Sequence, residues 1–238
     1  MTLRGLRSEI YQLSDPRKAK ILARFFKTRK GEYGEGDVFV GITVPTSRSL
    51  AKKYKDLPPT DLENLLKSKI HEERLIALLI LVHNYEINVY NKREKIYKFY
   101  LKFIHYINNW DLVDLTAPRI VGAHLLTKPK TTREKLLFRL VWSKSIWERR
   151  IAILATFEFI KNNQFGETLK IAELLLRDGH DLIHKAVGWM LREIGKRNQK
   201  IEEKFLSKHL QSMPRTTLRY AIERFENSKR LKYLRSSR

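Results

Sequence analysis

The sequence predicts an all-α protein and, more narrowly, an α-solenoid. Glycine and proline are scarce, with 10 and 7 among 238 residues. Several segments are apolar almost all the way round a helix, and such a helix must be covered on more than one side. These segments also recur along the chain at similar intervals, as a helical repeat requires. They are RLIALLILV (74–82), RIAILATFEFI (150–160) and KAVGWMLREI (185–194).

Capping signals predict where several helices begin. The run Ser14-Asp15-Pro16 predicts a start near residue 15, because Asp caps a helix and proline is tolerated in the first turn. Residues 60–63 and 131–134 have the Thr-x-x-Glu spacing of a capping box, which satisfies two free amides at a helix start. We therefore expect helices to begin at all three places.

Basic residues open the apolar segments at regular intervals. Arg74, Arg150, Lys185 and Arg219 are separated by 76, 35 and 34 residues. The first interval is close to two units, so a further unit should begin near residue 112. A repeat of roughly 35–38 residues made of two helices is typical of an α-solenoid, whose inner helices form a concave wall. Because identity between the units is weak, a non-repetitive helical bundle is the alternative.

A glycine-rich segment at 28–45 interrupts the helical pattern. It does not resemble a phosphate-binding loop, because Glu32, Glu35 and Asp37 would repel phosphate and a strand–turn–helix context is missing. We expect a structural connection, with contact to a partner as the alternative. No linker divides the chain, which predicts one domain over residues 1–238. The basic tail at 227–238 is expected to fray.

Charge is the strongest global indication of function. The chain has 48 Lys and Arg against 26 acidic residues, a formal charge of +22. Such an excess, spread over the whole length, favours nucleic acid as the partner, with a merely solvated basic surface as the alternative. Cysteine is absent, which excludes disulfides and thiolate metal sites. The longest apolar stretch, 75–82, is far too short to span a membrane. We expect a soluble, cytoplasmic protein.

The run NNWDLVDLTAP (108–118) places an indole and two carboxylates on about one helical turn. Trp110 and Asp114 should share a face, because they are four residues apart. A carboxylate on a surface that attracts polyanions would repel phosphate, so we expect it to meet another cation. The alternative is that Trp110 is a core residue and that Asp111 or Asp114 caps the helix.

Other chemistries find less support in the sequence. His180 and His184 are spaced to share a metal ion, but a His-Glu-x-x-His pattern is missing. A G-x-S-x-G motif is absent, and no lysine is marked out for Schiff-base chemistry. We expect neither a metal nor a small-molecule cofactor. Carboxylate, indole and guanidinium groups remain as candidates near the starts of inner helices, where they would line one wall: Trp110, Asp111, Asp114, Arg149, Arg150 and Trp189.

The chain resembles the AlkD-type DNA alkylation repair proteins, which are alkylpurine DNA glycosylases made of HEAT-like repeats. The resemblance covers nearly the whole chain and is carried by WDLVD (110–114), IWERRIAIL (146–154) and KAVGWMLREIGK (185–196). It implies an all-α fold, an α-solenoid of HEAT-like helical repeats with a concave basic face. The glycine-rich segment is longer here than in the best-known members.

The resemblance also implies functions for individual residues. Trp110 and Asp114 match the catalytic tryptophan and aspartate, and Arg150 matches the active-site arginine, with Arg149 as the alternative. The pocket tyrosine of the family falls on Phe25, which lacks the hydroxyl group. We predict as catalytic residues Asp114, Trp110, Trp189 and Arg150, and as DNA-binding residues Phe25, Arg149, Lys185 and Arg192.

The implied activity is that of a monomeric, monofunctional DNA glycosylase. It would excise cationic N3- and N7-alkylated purines from duplex DNA and leave an abasic site, gripping the backbone while the lesion is still stacked. Asp114 would stabilise the positive charge that develops on the deoxyribose, Trp110 and Trp189 would pack on the sugar, and Asp111 would cap or support the helix. The alternatives are a non-catalytic helical-repeat module that binds DNA or RNA, and a protein-binding solenoid.

Overall fold

The computed structural model describes residues 1–236, and most of these residues are helical. Within them no β-sheet forms, and extended backbone pairs only in an isolated bridge between Val38 and Ile70. The chain divides into two compact units, an N-terminal unit of Met1–Ile120 and a C-terminal unit of Val121–Arg238. Whether residues 1–238 act as one domain stays a prediction. No helix in the described part of the chain combines the length and the apolar character that crossing a membrane requires.

The N-terminal unit is organised around α5, the longest of its helices. Helices α3, α4, α6 and α7 all contact α5, which explains why its central residues, 74–82, are buried on every side. The glycine-rich segment lies between α2 and α3. The helices are α1 (Leu3–Gln12), α2 (Pro16–Phe25), α3 (Val44–Lys53), α4 (Pro59–Leu66), α5 (His71–Ile87), α6 (Tyr90–Lys102) and α7 (Trp110–Ala117), followed by a short π-helix, Pro118–Gly122.

In the C-terminal unit the corresponding central helix is α13. It contacts α10, α12, α14 and α15, and its apolar residues are buried among them. The helices are α8 (Ala123–Leu126), α9 (Lys130–Val141), α10 (Ile146–Ala155), α11 (Phe157–Lys161), α12 (Gly166–Leu175), α13 (Asp181–Gly195), α14 (Gln199–His209), α15 (Arg215–Ala221) and α16 (Asn227–Ser236).

Helix starts agree with the sequence where aspartate caps the helix and differ where proline precedes it. Asp15 accepts hydrogen bonds from two backbone amides of the first turn of α2, as predicted. The capping boxes predicted at 60–63 and 131–134 do not form. Helices α4 and α9 begin directly after Pro58 and Pro129, without a side-chain cap. A proline fixes its own φ near the helical value, so each helix starts before its threonine.

The basic tail is ordered, which corrects the expectation of fraying for residues 227–236. These residues form α16, and Lys229 forms an ion pair with Glu203 on α14. The ring of Tyr233 meets that of Phe225 edge-on, with 5.6 Å between their centroids. Packing therefore holds this helix in spite of its charge. The remaining tail residues, 237–238, lie outside the described residues.

A recurring hydrogen bond marks the repeat. In α5, α10 and α13 the side chain of the fourth residue bonds the backbone carbonyl six residues earlier, which ties the helix to the loop before it. The bonds join Arg74 to Ser68, Arg149 to Ser143 and His184 to Asp178. Arg74 is therefore equivalent to Arg149 rather than to Arg150. The predicted equivalence of Arg74 with Arg150 was therefore wrong by one residue.

Candidate active site

In the N-terminal unit the first five residues of α7 include both the indole and the carboxylate. Trp110 is the first residue of α7, and the side chain of Asn109 accepts its backbone N–H at 2.8 Å. Asp114 follows one turn later, so the two side chains share a helix face. Both are half-buried. Neither Trp110 nor Asp114 caps the helix, since Asn109 occupies that position.

Two phenylalanines at the end of α2 hold the indole of Trp110. The ring of Phe26 stacks on it with 5.0 Å between centroids and 16° between planes. Phe25 meets it edge-on at 5.8 Å and is itself 60% exposed. Phe25 therefore lies beside Trp110, as the family resemblance implied. The stack fixes the plane of the indole and leaves an aromatic edge open to solvent.

A buried polar network lies behind this stack. His71, the first residue of α5, bonds two carboxylates through its two ring nitrogens: Nδ1 lies 3.1 Å from Asp37 and Nε2 lies 2.8 Å from Asp111. Arg74 donates to Asp37 at 2.6 Å, and the amide of Asn109 donates to the same carboxylate at 3.2 Å. All five side chains are buried. The network links the glycine-rich segment, α5 and the start of α7.

Electrostatics favour the charged forms of His71 and Asp37 within this network. Burial lowers the pKa of His71, but the charge of Asp111 and the hydrogen bonds from Asp111 and Asp37 outweigh it, so the pKa lies above its usual value. Burial likewise raises the pKa of Asp37, yet His71 and Arg74 bring it below its ordinary value. Each group stabilises the charged form of its neighbour.

The structure also changes how Asp111 and Asp37 are understood. Asp111 was expected to cap or support its helix; it lies inside the first turn and supports α7 through His71 instead of capping it. Asp37 was considered as a repulsive loop residue, but it is buried in the network. Sequence reasoning did not select His71. The available signal was a histidine at the head of a helix that is apolar on all sides.

In the C-terminal unit the paired arginines of α10 point to different partners. Arg149 donates to Asp178 at 2.6 Å and to the carbonyls of Ser143 and Lys144 at 2.9 and 3.0 Å. These bonds secure the loop before α10 and engage most of the guanidinium. Arg150 is only 5% exposed and donates to the carbonyl of Leu182, in the first turn of α13. The contacts of Arg149 give it a structural function.

Helix α13 presents three of the predicted residues on one face. Lys185, Trp189 and Arg192 follow one another at spacings of four and three residues, which align on a helix. Lys185 pairs with Asp181 at 2.7 Å. The indole N–H of Trp189 donates to Glu193 at 3.3 Å, and its ring lies 6.0 Å from that of Phe157. Arg192 is less accessible and forms an ion pair with Glu223.

The two histidines considered for metal binding have structural contacts. His180 caps α13 by accepting the backbone N–H of Leu182 at 3.1 Å. His184 bonds the carbonyl of Asp178. Within residues 1–236, no group of three or more His, Asp or Glu side chains is arranged to hold a metal ion.

The comparisons with known proteins now identify the family. A family model described as "DNA alkylation repair enzyme" matches residues 6–225. The chain belongs to this family. The fold of this DNA alkylation repair protein also resembles the solved structure of a predicted DNA alkylation repair enzyme from Enterococcus faecalis. The two superpose with a TM-score of 0.69 over 90% of this chain and 97% of the other, at 17% identity. A search of curated protein sequences found no match.

Membership confirms the family resemblance inferred from the sequence and, with the helices observed, the prediction of an all-α helical-repeat fold. It supports a role in the repair of alkylated DNA. At this level of identity the solved structure shows the fold alone, so the functions of individual side chains depend on the geometry described above.

The fifth helix position differs in charge between α7 and four other helices of this DNA alkylation repair protein. The fifth residue is a cation in α3, α10, α13 and α15, and it is a carboxylate in α7. These residues are Arg48, Arg150, Lys185, Arg219 and Asp114. Arg48 and Arg219 were not among the predicted site residues, although the repeat register could have found them. Asp114 thus occupies a position that is cationic in those four helices, whereas α4, α6, α9 and α14 have glutamate there.

Proposed function

We propose that this protein is a monofunctional DNA glycosylase that hydrolyses the N-glycosidic bond of N3- and N7-alkylated purines in duplex DNA and leaves an abasic site. The observation that carries the proposal is Asp114. It is a half-buried carboxylate one turn from the indole of Trp110, at a position that is cationic in α3, α10, α13 and α15. A protein that only bound the DNA backbone would gain affinity from a cation there.

The carboxylate suits the charge that this reaction develops. As the C1′–N bond breaks, its electron pair leaves with the cationic purine and positive charge builds on the deoxyribose, as in other glycoside hydrolyses. Asp114 stabilises that charge and orients the water whose oxygen bonds to C1′; the proton of the water passes to the carboxylate or to solvent. One preorganised contact of this kind is worth roughly 3 kcal/mol, or about 100-fold in rate.

Trp110 has the geometry of a surface for the sugar. Its ring is held in place by Phe26, so a sugar can pack against it without a cost in side-chain ordering. An indole face also favours a nearby cation. Phe25 adds apolar contact at the same place but offers no hydroxyl. We assign Trp110 the task of excluding water and of favouring the cationic transition state.

The remaining predicted residues are assigned within the C-terminal unit. Trp189 presents an indole edge, and Lys185 is a half-exposed cation on the same face of α13. We propose that Trp189 contacts the sugar and that Arg150, which the family resemblance selects, and the half-exposed Lys185 hold backbone phosphates. Arg149 and Arg192 would add less, because their paired side chains are only 16% and 18% exposed, against 38% for Lys185. The protein is proposed to act as a monomer without a cofactor.

The test is release of free base from methylated duplex DNA, measured by chromatography for the wild type and for Asp114→Asn. We expect Asp114→Asn to lose about 100-fold or more in rate while its affinity for DNA does not fall. The matched control is Asp56→Asn, which neutralises an exposed carboxylate outside α7 and should leave base release unchanged.

Two outcomes would contradict the proposal. Equal base release by the wild type and Asp114→Asn would remove the function assigned to the carboxylate. If the wild type released no base but bound DNA with a steep dependence on salt, the protein would be a non-catalytic binding module.

A further inference from the structure

The most exposed large hydrophobic side chain of the C-terminal unit is that of Trp142. Trp142 ends α9 and is 74% exposed. Among residues 1–236 its indole N–H has no hydrogen-bond partner, and its ring meets no other aromatic ring or cation. Tryptophan is normally well covered in a folded domain. Tryptophan side chains with one open face are enriched at interfaces, which makes this indole a candidate contact.

A cavity of about 570 Å³ lies beside this indole. The side chains of Leu174 and Arg177, on α12 and in the loop after it, form part of its wall; Leu174 is 36% exposed and Arg177 is exposed. Arg177 has no carboxylate partner within the described part of the chain. The cavity thus combines an open aromatic face, an apolar contact and an uncompensated positive charge.

The other charged groups in the wall of the cavity are already engaged. Arg149 and Asp178 form an ion pair at 2.6 Å. Glu173 pairs with Lys208 at 3.1 Å, on the neighbouring helix α14. The carboxylate of Asp178 is therefore covered, whereas that of Glu173 stays 49% exposed and is balanced by Lys208. What the cavity presents to a ligand is the indole of Trp142, the side chain of Leu174 and the guanidinium of Arg177.

We propose that this cavity binds an unstacked nucleobase of a DNA strand. The base would stack on Trp142 against Leu174, and Arg177 would pair with the adjoining phosphate. Aromatic faces next to arginine are the usual elements of single-strand binding, because every base has a flat π face and every nucleotide a negative charge. The charge of +22 on the chain favours a polyanionic ligand over an apolar peptide.

This site is separate from the chemistry assigned to Asp114. It requires only that a base be out of the stack, as in a single strand or at an unpaired nucleotide, and it makes no use of an alkyl group. Its test therefore uses unmethylated DNA, so that a failed test of base release and a failed test of this site are different results.

The experiment compares the affinity of each variant for a short unmodified single strand and for the same sequence as a blunt duplex, by fluorescence anisotropy. We expect Trp142→Ala to bind the single strand about 10-fold more weakly and to bind the duplex like the wild type. Trp142→Phe should keep most of the affinity, because the phenyl ring still stacks. Since Trp142 is exposed, Trp142→Ala should fold normally, which circular dichroism verifies.

Charge is tested with a matched pair of arginine variants. Arg177→Gln should reduce the salt dependence of single-strand binding by about one phosphate contact. Arg224→Gln, which removes an exposed arginine elsewhere in the same unit, should not. The proposal is overturned if Trp142→Ala binds the single strand as tightly as the wild type. It is equally overturned if that variant loses single-strand and duplex affinity to the same extent.

Discussion

Helices α7 and α10 begin in different ways, although the repeat interval predicts that they occupy equivalent positions in two different repeats. In α10 the fourth residue, Arg149, secures the preceding loop by bonding the carbonyl of Ser143. In α7 the fourth residue is Val113, which cannot make that bond, and the first turn is held through Asp111 by His71 of α5. Because another helix supplies the anchor, α7 can dispense with cations in its first two turns.

We propose that this difference separates a helix that binds DNA from one that takes part in the reaction. At the fifth position α10 has Arg150 and α7 has Asp114. A carboxylate on a surface that meets phosphates repels them. A helix that carries such a carboxylate, and no surface cation beside it, needs buried contacts to hold its first turn. The network around His71 supplies that support.

The largest effect should come from giving α7 the charge pattern of α10. In Asp114→Arg, base release from methylated duplex DNA should fall by about 1000-fold, because the anion is replaced by a charge that opposes the sugar cation. Affinity for undamaged duplex should rise and its salt dependence should steepen by about one contact. Measurable base release close to the wild-type rate would contradict the comparison.

Removal of the anchor should have the next largest effect. His71→Leu leaves Asp37 and Asp111 buried without their shared cation, and we expect the free energy of unfolding to fall by about 3 kcal/mol. Urea denaturation measures this. The control is His83→Leu on the same helix, where the histidine is half-exposed and has no partner among the described residues. An equal loss in both variants would show that the network is not the anchor.

On α10 the corresponding anchor is Arg149. Arg149→Met leaves the buried carboxylate of Asp178 unpaired and should cost about 2 kcal/mol of stability, with little change in the salt dependence of DNA binding. Lys185→Met should do the reverse, with stability nearly unchanged and the salt slope lowered by about 1. If Arg149→Met lowered the slope as much as Lys185→Met does, Arg149 would be a phosphate ligand after all.

A smaller effect should separate the two units by pH. Burial and the charge of Glu203 raise the pKa of Glu202, on α14, to about 8. The folded protein then binds a proton that the unfolded chain releases near its ordinary value of 4.5, so stability falls as the pH rises from about 4.5 to about 8. Glu202→Gln should remove this loss, raising stability at alkaline pH and changing it little near pH 5.

The contribution of the His71 network to stability begins to fall at a higher pH than that of Glu202. The pKa of His71 is raised in the folded state. Its contribution to stability is therefore complete below the ordinary histidine value of 6.5 and is lost as the pH rises through the folded pKa. Thermal unfolding across pH for Glu202→Gln and His71→Gln tests this. Each variant should flatten its own part of the profile, and identical profiles would contradict the assignment.

Much of the fold could be predicted because its signals are local. The apolar helices, the cap at Asp15 and the repeat interval depend on residues close in sequence. Where local signals competed, prediction failed: Pro58 and Pro129 moved two helix starts, and α16 formed because Phe225 and Glu203 pack against it.

The candidate site divides in the same way. Trp110 and Asp114 lie within one turn, so their common face could be predicted from spacing. The support of the site could not, because Asp37, His71 and Asp111 meet only in the folded chain. No periodicity within a single sequence pairs these three residues.

The buried network also has a consequence for how the chain folds. Repeat proteins ordinarily close contacts only between neighbouring units, and each helix pair can form early. The contacts of Asp37 with His71 and Asn109 instead span 34 and 72 residues. A much larger loop must therefore close, at a cost in entropy, before these contacts can stabilise the fold. We therefore expect the surroundings of Trp110 to be among the last parts of the protein to assemble, after α5 and α7 are already helical.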